Sequence, residues 1–243
     1  MIDIAKIALI TGASSGLGEN LARQLIQKNW LVVGIARSSE KLAALQLDLG
    51  EKFYPITCDV GKQEDIVKAS ALLKEKNMIP TLFFLNAGAG DLEGDIFDAK
   101  MHEKVFNVNY FGAIHWIDEW LEDVKDTGAS FVAISSILAL QGTPGAAAYC
   151  ASKSALKTCF ESLKLKHMNT PIKFITVMPG PMKTSMLKSD KPVPGVWVPE
   201  KAAKYLLNKV FKGKQTIIFP LFYRILFNIL SFLPLKITSK ILK

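Results

Sequence analysis

Short apolar runs alternate along the chain with longer stretches whose apolar residues recur every three or four positions. Lys6 to Thr11, Trp30 to Ala36, Phe53 to Val60, Thr81 to Asn86, Ser130 to Ser135, Lys173 to Met178 and Thr216 to Phe219 read as strands. They are short, rich in branched and aromatic residues, and bounded by turn formers. Between them the helical period takes over. Leu17, Leu21, Leu25 and Ile26 fall on one side of a helix starting after Gly16. Ser38 or Ser39 caps the next one. Further helices are predicted from Gln63 to Asn77, Met101 to Val124, Tyr149 to Met168 and Pro199 to Phe211. Strand and helix alternating in this way give a parallel sheet covered on both faces. The pattern predicts a doubly wound α/β domain of about seven strands. No internal repeat, low-complexity segment or domain-splitting linker interrupts it. Pro192, Pro194, Gly195 and Pro199 gather in one loop.

A chain of 243 residues with 49% hydrophobic content is ordinary for one α/β domain and excludes a disordered chain. Met1 to Lys6 leads straight into the first strand and glycine turn, which predicts no secretory leader. Cys58, Cys150 and Cys159 show no metal spacing and read as reduced thiols in a cytoplasmic setting. Cys150 reads as a small packing residue rather than a reactive thiol. His102, His115 and His167 lie far apart, and no metal site is expected. The charge is uneven. Residues 200–243 hold nine Lys/Arg against the single acid Glu200, so the chain's whole excess of +8 sits there.

Two groups of residues carry chemistry. The first is Thr11-Gly12-Ala13-Ser14-Ser15-Gly16-Leu17-Gly18, a strand passing through glycines into a helix. Such a turn aims backbone N–H groups and the helix dipole at an anion. Gly12 permits the turn, Gly16 lets a ligand approach the backbone, and Gly18 allows tight packing. The second is Ser136, Tyr149 and Lys153. Tyr149 and Lys153 are four apart and share one helix face. Ser136 ends a buried strand thirteen residues before the tyrosine. The lysine charge is expected to favour the phenolate and lower the tyrosine pKa, making a proton carrier usable near neutral pH.

With Asp59-Val60, Asn86-Ala87-Gly88, Asn109 and Pro179-Gly180 with Thr184 in the same order, the sequence resembles the short-chain dehydrogenase/reductase family, in its single-domain form. The resemblance runs from about Lys6 to about Pro220. It implies a Rossmann-type fold for residues 1–220 and a dinucleotide at Gly12, Ser14, Ser15, Gly16, Leu17 and Gly18. It also implies that Asp59 and Val60 flank the adenine and that Asn86, Ala87 and Gly88 line the ribose side. Thr184 with Pro179 and Gly180 then holds the nicotinamide, and Lys153 beside Tyr149 reaches the nicotinamide ribose. Ser136 orients the carbonyl, and Asn109 supports a water chain from the lysine. Asn107 and Ser135 are near neighbours in the same motifs, and the family register selects Asn109 and Ser136.

Enzymes of this kind that use NAD place an acid after the second strand for the ribose 2′-hydroxyl. Here the stretch is Gly34-Ile35-Ala36-Arg37-Ser38, with no carboxylate. The Arg37 guanidinium suits a 2′-phosphate, so the expected cofactor is NADP(H) rather than NAD(H). Many NADP-binding members carry a second base just before the middle glycine; Ser15 stands there instead.

Residues 221–243 form a separate hydrophobic and basic segment. Arg224, Asn228 and Ser231 make a narrow polar stripe, and Pro220 and Pro234 interrupt any clean membrane span. A helix of this kind followed by Lys236, Lys240 and Lys243 suits an anionic membrane interface, here the inner face of the cell membrane. Covering the substrate site or packing a homodimer or homotetramer interface are the alternatives. Two functions remain open at this level. One is an NADP(H)-dependent oxidoreductase acting on a small hydrophobic carbonyl or alcohol, with lipid-, steroid- and retinoid-like substrates undistinguished. The other is a non-catalytic, NADP-sensing regulatory or scaffold protein on the same fold. Nothing points to nucleic acid.

Overall fold

The computed structural model describes residues 6–90, 97–184, 187 and 193–241. Pro192 and Lys243, both named above, lie outside them. Seven parallel strands form one sheet: β1 (Ile7–Thr11), β2 (Leu31–Ala36), β3 (Phe53–Thr57), β4 (Leu82–Leu85), β5 (Ser130–Ile134), β6 (Lys173–Pro179) and β7 (Thr216–Phe219), in the order β3-β2-β1-β4-β5-β6-β7. The helices are α1 (Gly16–Gln27), α2 (Ser39–Leu49), α3 (Gln63–Glu75), α4 (Ala99–Phe106), α5 (Gly112–Val124), α6 (Ala147–Lys166), α7 (Pro199–Phe211), α8 (Leu221–Ser231) and α9 (Leu235–Ile241).

The central strands are apolar throughout because both faces are covered. Ala8, Ile10, Phe84, Val132 and Val177 belong to a core with Leu21 and Leu25 of α1 and Leu206 of α7. Leu9, Phe83 and Phe131 face the other way, onto Ile66 of α3, Trp116 and Trp120 of α5, and Phe160 of α6. The doubly wound architecture expected from the sequence is therefore present. Ser38 is the residue that caps α2, its hydroxyl accepting from the Lys41 N–H at 3.3 Å. The single helix expected over 101–124 is instead α4 and α5 joined by a wide π turn at Asn107–Phe111. Gly112 makes that junction possible, since a Cβ there would meet the Val60 carbonyl oxygen at 2.7 Å.

Strand order reverses beside β1, whose neighbours are β2 and β4. Crossovers leave the sheet in opposite directions there, opening a crevice at the carboxyl ends of the strands. The chain's last segment returns to that end. Pro234 divides it into α8 and α9. Tyr223, Phe227 and Leu230 of α8 pack on Ile137 and Met178 in a small third cluster.

Candidate active site

A cleft of about 480 Å³ opens at the crevice. Its floor is the glycine turn. Gly12 and Gly16 take left-handed backbone angles, φ +68° and +57°, which side chains other than glycine rarely adopt. A Cβ on Gly18 would lie 2.2 Å from the Gly12 carbonyl oxygen, so the third glycine is demanded by packing. Ser15 is the N-cap of α1 but makes no side-chain capping bond. The first N–H groups of α1 therefore lack helical partners, and Ser15, Gly16 and Leu17 line the cleft. This is a cradle for an anion, built of backbone dipoles.

The turn is locked to the end of β4. The Thr11 hydroxyl accepts from the N–H groups of Asn86 and Ala87, both at 2.9 Å. The Asn86 amide donates to the carbonyls of Thr11 at 2.9 Å and Gly12 at 3.3 Å. Asn86, Ala87 and Gly88 form the next part of the wall. Thr184 closes the opposite side, its methyl 3.1 Å from where a Gly16 Cβ would stand. Pro179 and Gly180, at the end of β6, complete the lining.

Ser136, Tyr149 and Lys153 meet in the cleft. The Ser136 hydroxyl shares the cleft with the Tyr149 phenol and accepts from the Leu138 N–H at 3.1 Å. The Lys153 ammonium is buried, donates to the Ile134 carbonyl at 2.8 Å, and lies 5.8 Å from the centre of the Tyr149 ring. Burial pulls its pKa down to about 8. Tyr149 departs from the sequence expectation. Burial pushes its phenol above the ordinary value, and the Ser136 hydroxyl opposes this only in part. The cause is enclosure of the phenol itself, which outweighs the neighbouring groups, while the Lys153 ammonium is tethered to a strand carbonyl. The resting site therefore holds a protonated phenol, the form that donates.

Both ambiguous neighbours separate cleanly. Ser135 is buried and its hydroxyl donates to the Lys153 carbonyl at 2.8 Å. Asn107 is exposed, whereas Asn109 is buried in the π turn. The Asn109 amide donates to the Ala89 carbonyl at 2.9 Å and the Ser152 hydroxyl at 3.0 Å, while its oxygen accepts from the Ala89 N–H at 2.7 Å. The side chain thus fastens the β4 loop to α6 next to the lysine. Gly88 sits above both residues; a Cβ there would stand 3.5 Å from the Asn109 oxygen and from the Lys153 nitrogen.

Besides Asn109, five of the expected residues stand back from the cleft. Asp59 binds its own turn, accepting from the Gly61 N–H at 3.0 Å. Val60 is a core residue against Gly112. Arg37 is exposed at the end of β2 and makes no ion pair among the described residues. Ser14, half-buried in the turn, and Gly18, which packs on Gly12, support the cradle from behind. Cys150 is buried and faces a second hollow beside Thr143 and Thr238 rather than the site.

Sequence reasoning offered residues 221–243 as a cover of the substrate site only as an alternative, and named no residue of the apolar half of the cleft. Ile137, Leu138, Ala146, Met182, Tyr223 and Phe227 line it. Tyr223, Phe227 and Leu230 were legible as one helical face by their spacing of four and three. The Tyr223 hydroxyl donates to the Pro194 carbonyl at 2.7 Å, joining α8 to the proline-rich loop. A Cβ on Gly180 would meet the Tyr223 ring at 3.1 Å, so the end of β6 is shaped to receive it.

Comparison with known proteins agrees with this fold. The short chain dehydrogenase family pattern matches residues 6–193. A farnesol dehydrogenase of Aedes aegypti is 29% identical over 195 residues, covering 75% of this chain and 79% of that protein. An NADPH-dependent 1-acyldihydroxyacetone phosphate reductase of Saccharomyces cerevisiae is 29% identical over 194 residues, covering 78% of this chain and 65% of that one. A solved short chain dehydrogenase of Burkholderia cenocepacia, in complex with NADP, superposes with a TM-score of 0.84 at 24% identity and covers 98% of each chain.

Proposed function

Because the chain belongs to the short-chain dehydrogenase family, we propose that it is an NADP(H)-dependent oxidoreductase interconverting a carbonyl and an alcohol on a hydrophobic substrate. The observation that carries the reading is the convergence of Ser136, Tyr149 and Lys153, the ammonium 5.8 Å from the tyrosine ring centre, in a cleft floored by an anion cradle. The cradle suits a dinucleotide: its helix N–H groups are open, and side chains at Gly12 or Gly18 would fill the space the turn needs. Gly12, Ser14, Ser15, Gly16, Leu17 and Gly18 hold or support the pyrophosphate, and Arg37 receives the 2′-phosphate. Asp59 and Val60 shape the adenine end. Asn86, Ala87, Gly88, Pro179, Gly180 and Thr184 bound the ribose and nicotinamide end. The yeast relative's name, which specifies NADPH, supports the choice of cofactor.

Bound NADP(H) supplies or accepts the hydride at the substrate carbon. Tyr149 gives its proton to the carbonyl oxygen in the reducing direction and takes it back in the oxidising one. Ser136 hydrogen-bonds the same oxygen and stabilises the charge that grows on it. Lys153 holds positive charge below the phenol and favours its deprotonated form once the proton has left. Asn109 is a positioning residue, keeping α6 and the β4 loop in register.

Ile137, Leu138, Phe227 and the Tyr223 ring make the substrate side apolar. Farnesol and an acylated dihydroxyacetone phosphate, named for two relatives, both carry long apolar chains and support that class. We place the enzyme in the cytoplasm as a homodimer or homotetramer, with residues 221–243 in peripheral membrane contact. Aliphatic and cyclic carbonyls offered with NADPH, followed by loss of cofactor absorbance, test the reading. Turnover that rises with chain length supports it. Tight NADPH binding with no turnover of any carbonyl would assign a nucleotide-sensing role instead.

A further inference from the structure

Helix α8 has two apolar faces and the fold uses one of them. Tyr223, Phe227 and Leu230 are buried against Ile137 and Met178. On the other side Leu221, Phe222, Ile225, Ile229 and Phe232 are 62, 45, 58, 55 and 88% exposed. With 3.6 residues per turn, these five positions share an arc of about 100°. That is the width of the apolar stripe that a helix ordinarily buries. Gly195 of the proline-rich loop meets the Phe222 ring at one edge, and the rest of the stripe stays exposed among the described residues. No helix of the described residues is long and apolar enough to cross a membrane.

The charge of the same C-terminal segment selects its occupant. Arg224 is exposed on α8, and Lys236 and Lys240 are exposed on α9. They belong to the segment of residues 200–243 that holds nine Lys/Arg and one acid. A second copy docking here by two-fold symmetry would set this basic segment against itself. An anionic bilayer offers both an apolar layer and the opposite charge.

We propose that the outer face of α8, with Lys236 and Lys240, docks on an anionic bilayer, and that the cleft draws its substrate from that bilayer. The second clause rests on the hydrophobic substrate proposed above. A helix is about 10 Å across, so docking sets Tyr223 and Phe227, which line the cleft, that far from the acyl chains. The substrate class is then a carbonyl or alcohol on a chain that partitions into membrane, presented polar end first to Tyr149.

Co-sedimentation of the full chain with phosphatidylglycerol-containing and pure phosphatidylcholine vesicles tests the surface. Binding to the anionic vesicles is expected, reduced about fivefold by each of Lys236→Gln and Lys240→Gln. Ile225→Asp should lower it at least tenfold while NADPH binding, read by fluorescence, persists. If that variant misfolds, Phe232→Trp decides the matter, because it keeps a large apolar side chain at the most exposed position. Brominated lipid should quench the added tryptophan. A full chain left in the supernatant, or no quenching of the indole in the Phe232→Trp variant, overturns the docking. So does a stable dimer that Ile225→Asp converts to monomer, since the stripe is then a self-interface. Turnover is read separately. A long-chain carbonyl carried in anionic vesicles should show a KM raised at least fivefold by Ile225→Asp, with a short water-soluble carbonyl unaffected. Vesicle binding without turnover of either carbonyl refutes the enzymatic reading and leaves the docking standing. Turnover with an unchanged KM refutes only the delivery from the bilayer.

Discussion

The Ser135 hydroxyl donates to the Lys153 carbonyl across 2.8 Å, tying the end of β5 to the second turn of α6. The next residue, Ser136, turns into the cleft beside Tyr149. Alternation along an extended chain sends consecutive side chains to opposite sides. One serine therefore fixes the lysine's backbone and the other meets the phenol.

Substituting the two serines should separate these tasks. Ser136→Ala is expected to lower kcat about 100-fold or more, the scale of losing one donor to a developing oxyanion. Ser135→Ala should remove one buried hydrogen bond to a helix carbonyl, costing about 0.5–1.5 kcal/mol of stability, with a smaller change in kcat. Thermal unfolding and steady-state rates on both variants check the split. A Ser135→Ala variant as inactive as Ser136→Ala would contradict the assignment.

Tyr149→Phe should reduce turnover about 100- to 10,000-fold, the range spanned by general acid–base catalysis. The ring stays, so NADPH binding should change little. Titrating cofactor fluorescence beside the rate assay reads both quantities on one sample.

Much of this site was legible in the sequence. The glycine turn and the Tyr149–Lys153 spacing each encode a local geometry, and local geometry is what sequence periodicity reports. The alternation of strands and helices announced the sheet for the same reason. The tyrosine's electrostatics were not legible, because the raised phenol and lowered ammonium come from enclosure by β5, the Ile137 turn and α8. Those elements are distant in sequence from Tyr149 or arranged by tertiary packing. Ser135 and Ser136 were separable only by family register, since a one-residue shift exchanges their sides. The apolar half of the cleft was hidden because Tyr223 and Phe227 come from a segment more than 70 residues beyond Tyr149.

The lysine predicts a pH dependence. Its pKa in the free protein is pulled down to about 8 by burial, so it is charged below that pH and loses its proton as pH rises through it. The kcat/KM measured for NADPH reports free-enzyme ionisations. It should be level below about pH 7 and fall above about pH 8 with the slope of one proton. In Lys153→Met the value should be low throughout and that limb absent. A wild-type profile level to about pH 10 would show that the ammonium is held far more strongly than its burial indicates.

Arg37 is the cofactor-selecting residue of the proposed reading, and its exposure at the end of β2 leaves it available to a phosphate. Arg37→Asp should weaken NADPH binding about tenfold or more, since a charge-assisted pair is lost and a like charge introduced. NADH should gain, because the new carboxylate accepts from the ribose hydroxyl. Kd values for both cofactors, taken at one ionic strength because an exposed pair is screened by salt, read the switch. Equal affinities in the unmodified protein would remove Arg37 from the role.

The Tyr223 hydroxyl is the remaining test, because it links α8 to the proline loop through the Pro194 carbonyl at 2.7 Å. Tyr223→Phe keeps the ring against Gly180 and Phe227 and removes only that link. A hydrogen bond of this kind contributes about 0.5–1.5 kcal/mol, so the loop over the apolar half of the cleft should loosen modestly. KM for a hydrophobic carbonyl is expected to rise about two- to tenfold, with kcat and the NADPH Kd nearly unchanged, because the hydroxyl bonds the Pro194 carbonyl rather than Ser136 or the glycine turn. Phe227→Ala should act differently. It removes wall area from the cleft itself, so the loss should grow with the chain length of the carbonyl, following the apolar surface no longer covered. If both variants changed the NADPH Kd and left KM alone, Tyr223 and Phe227 would belong to the cofactor's half of the cleft and not to the substrate's.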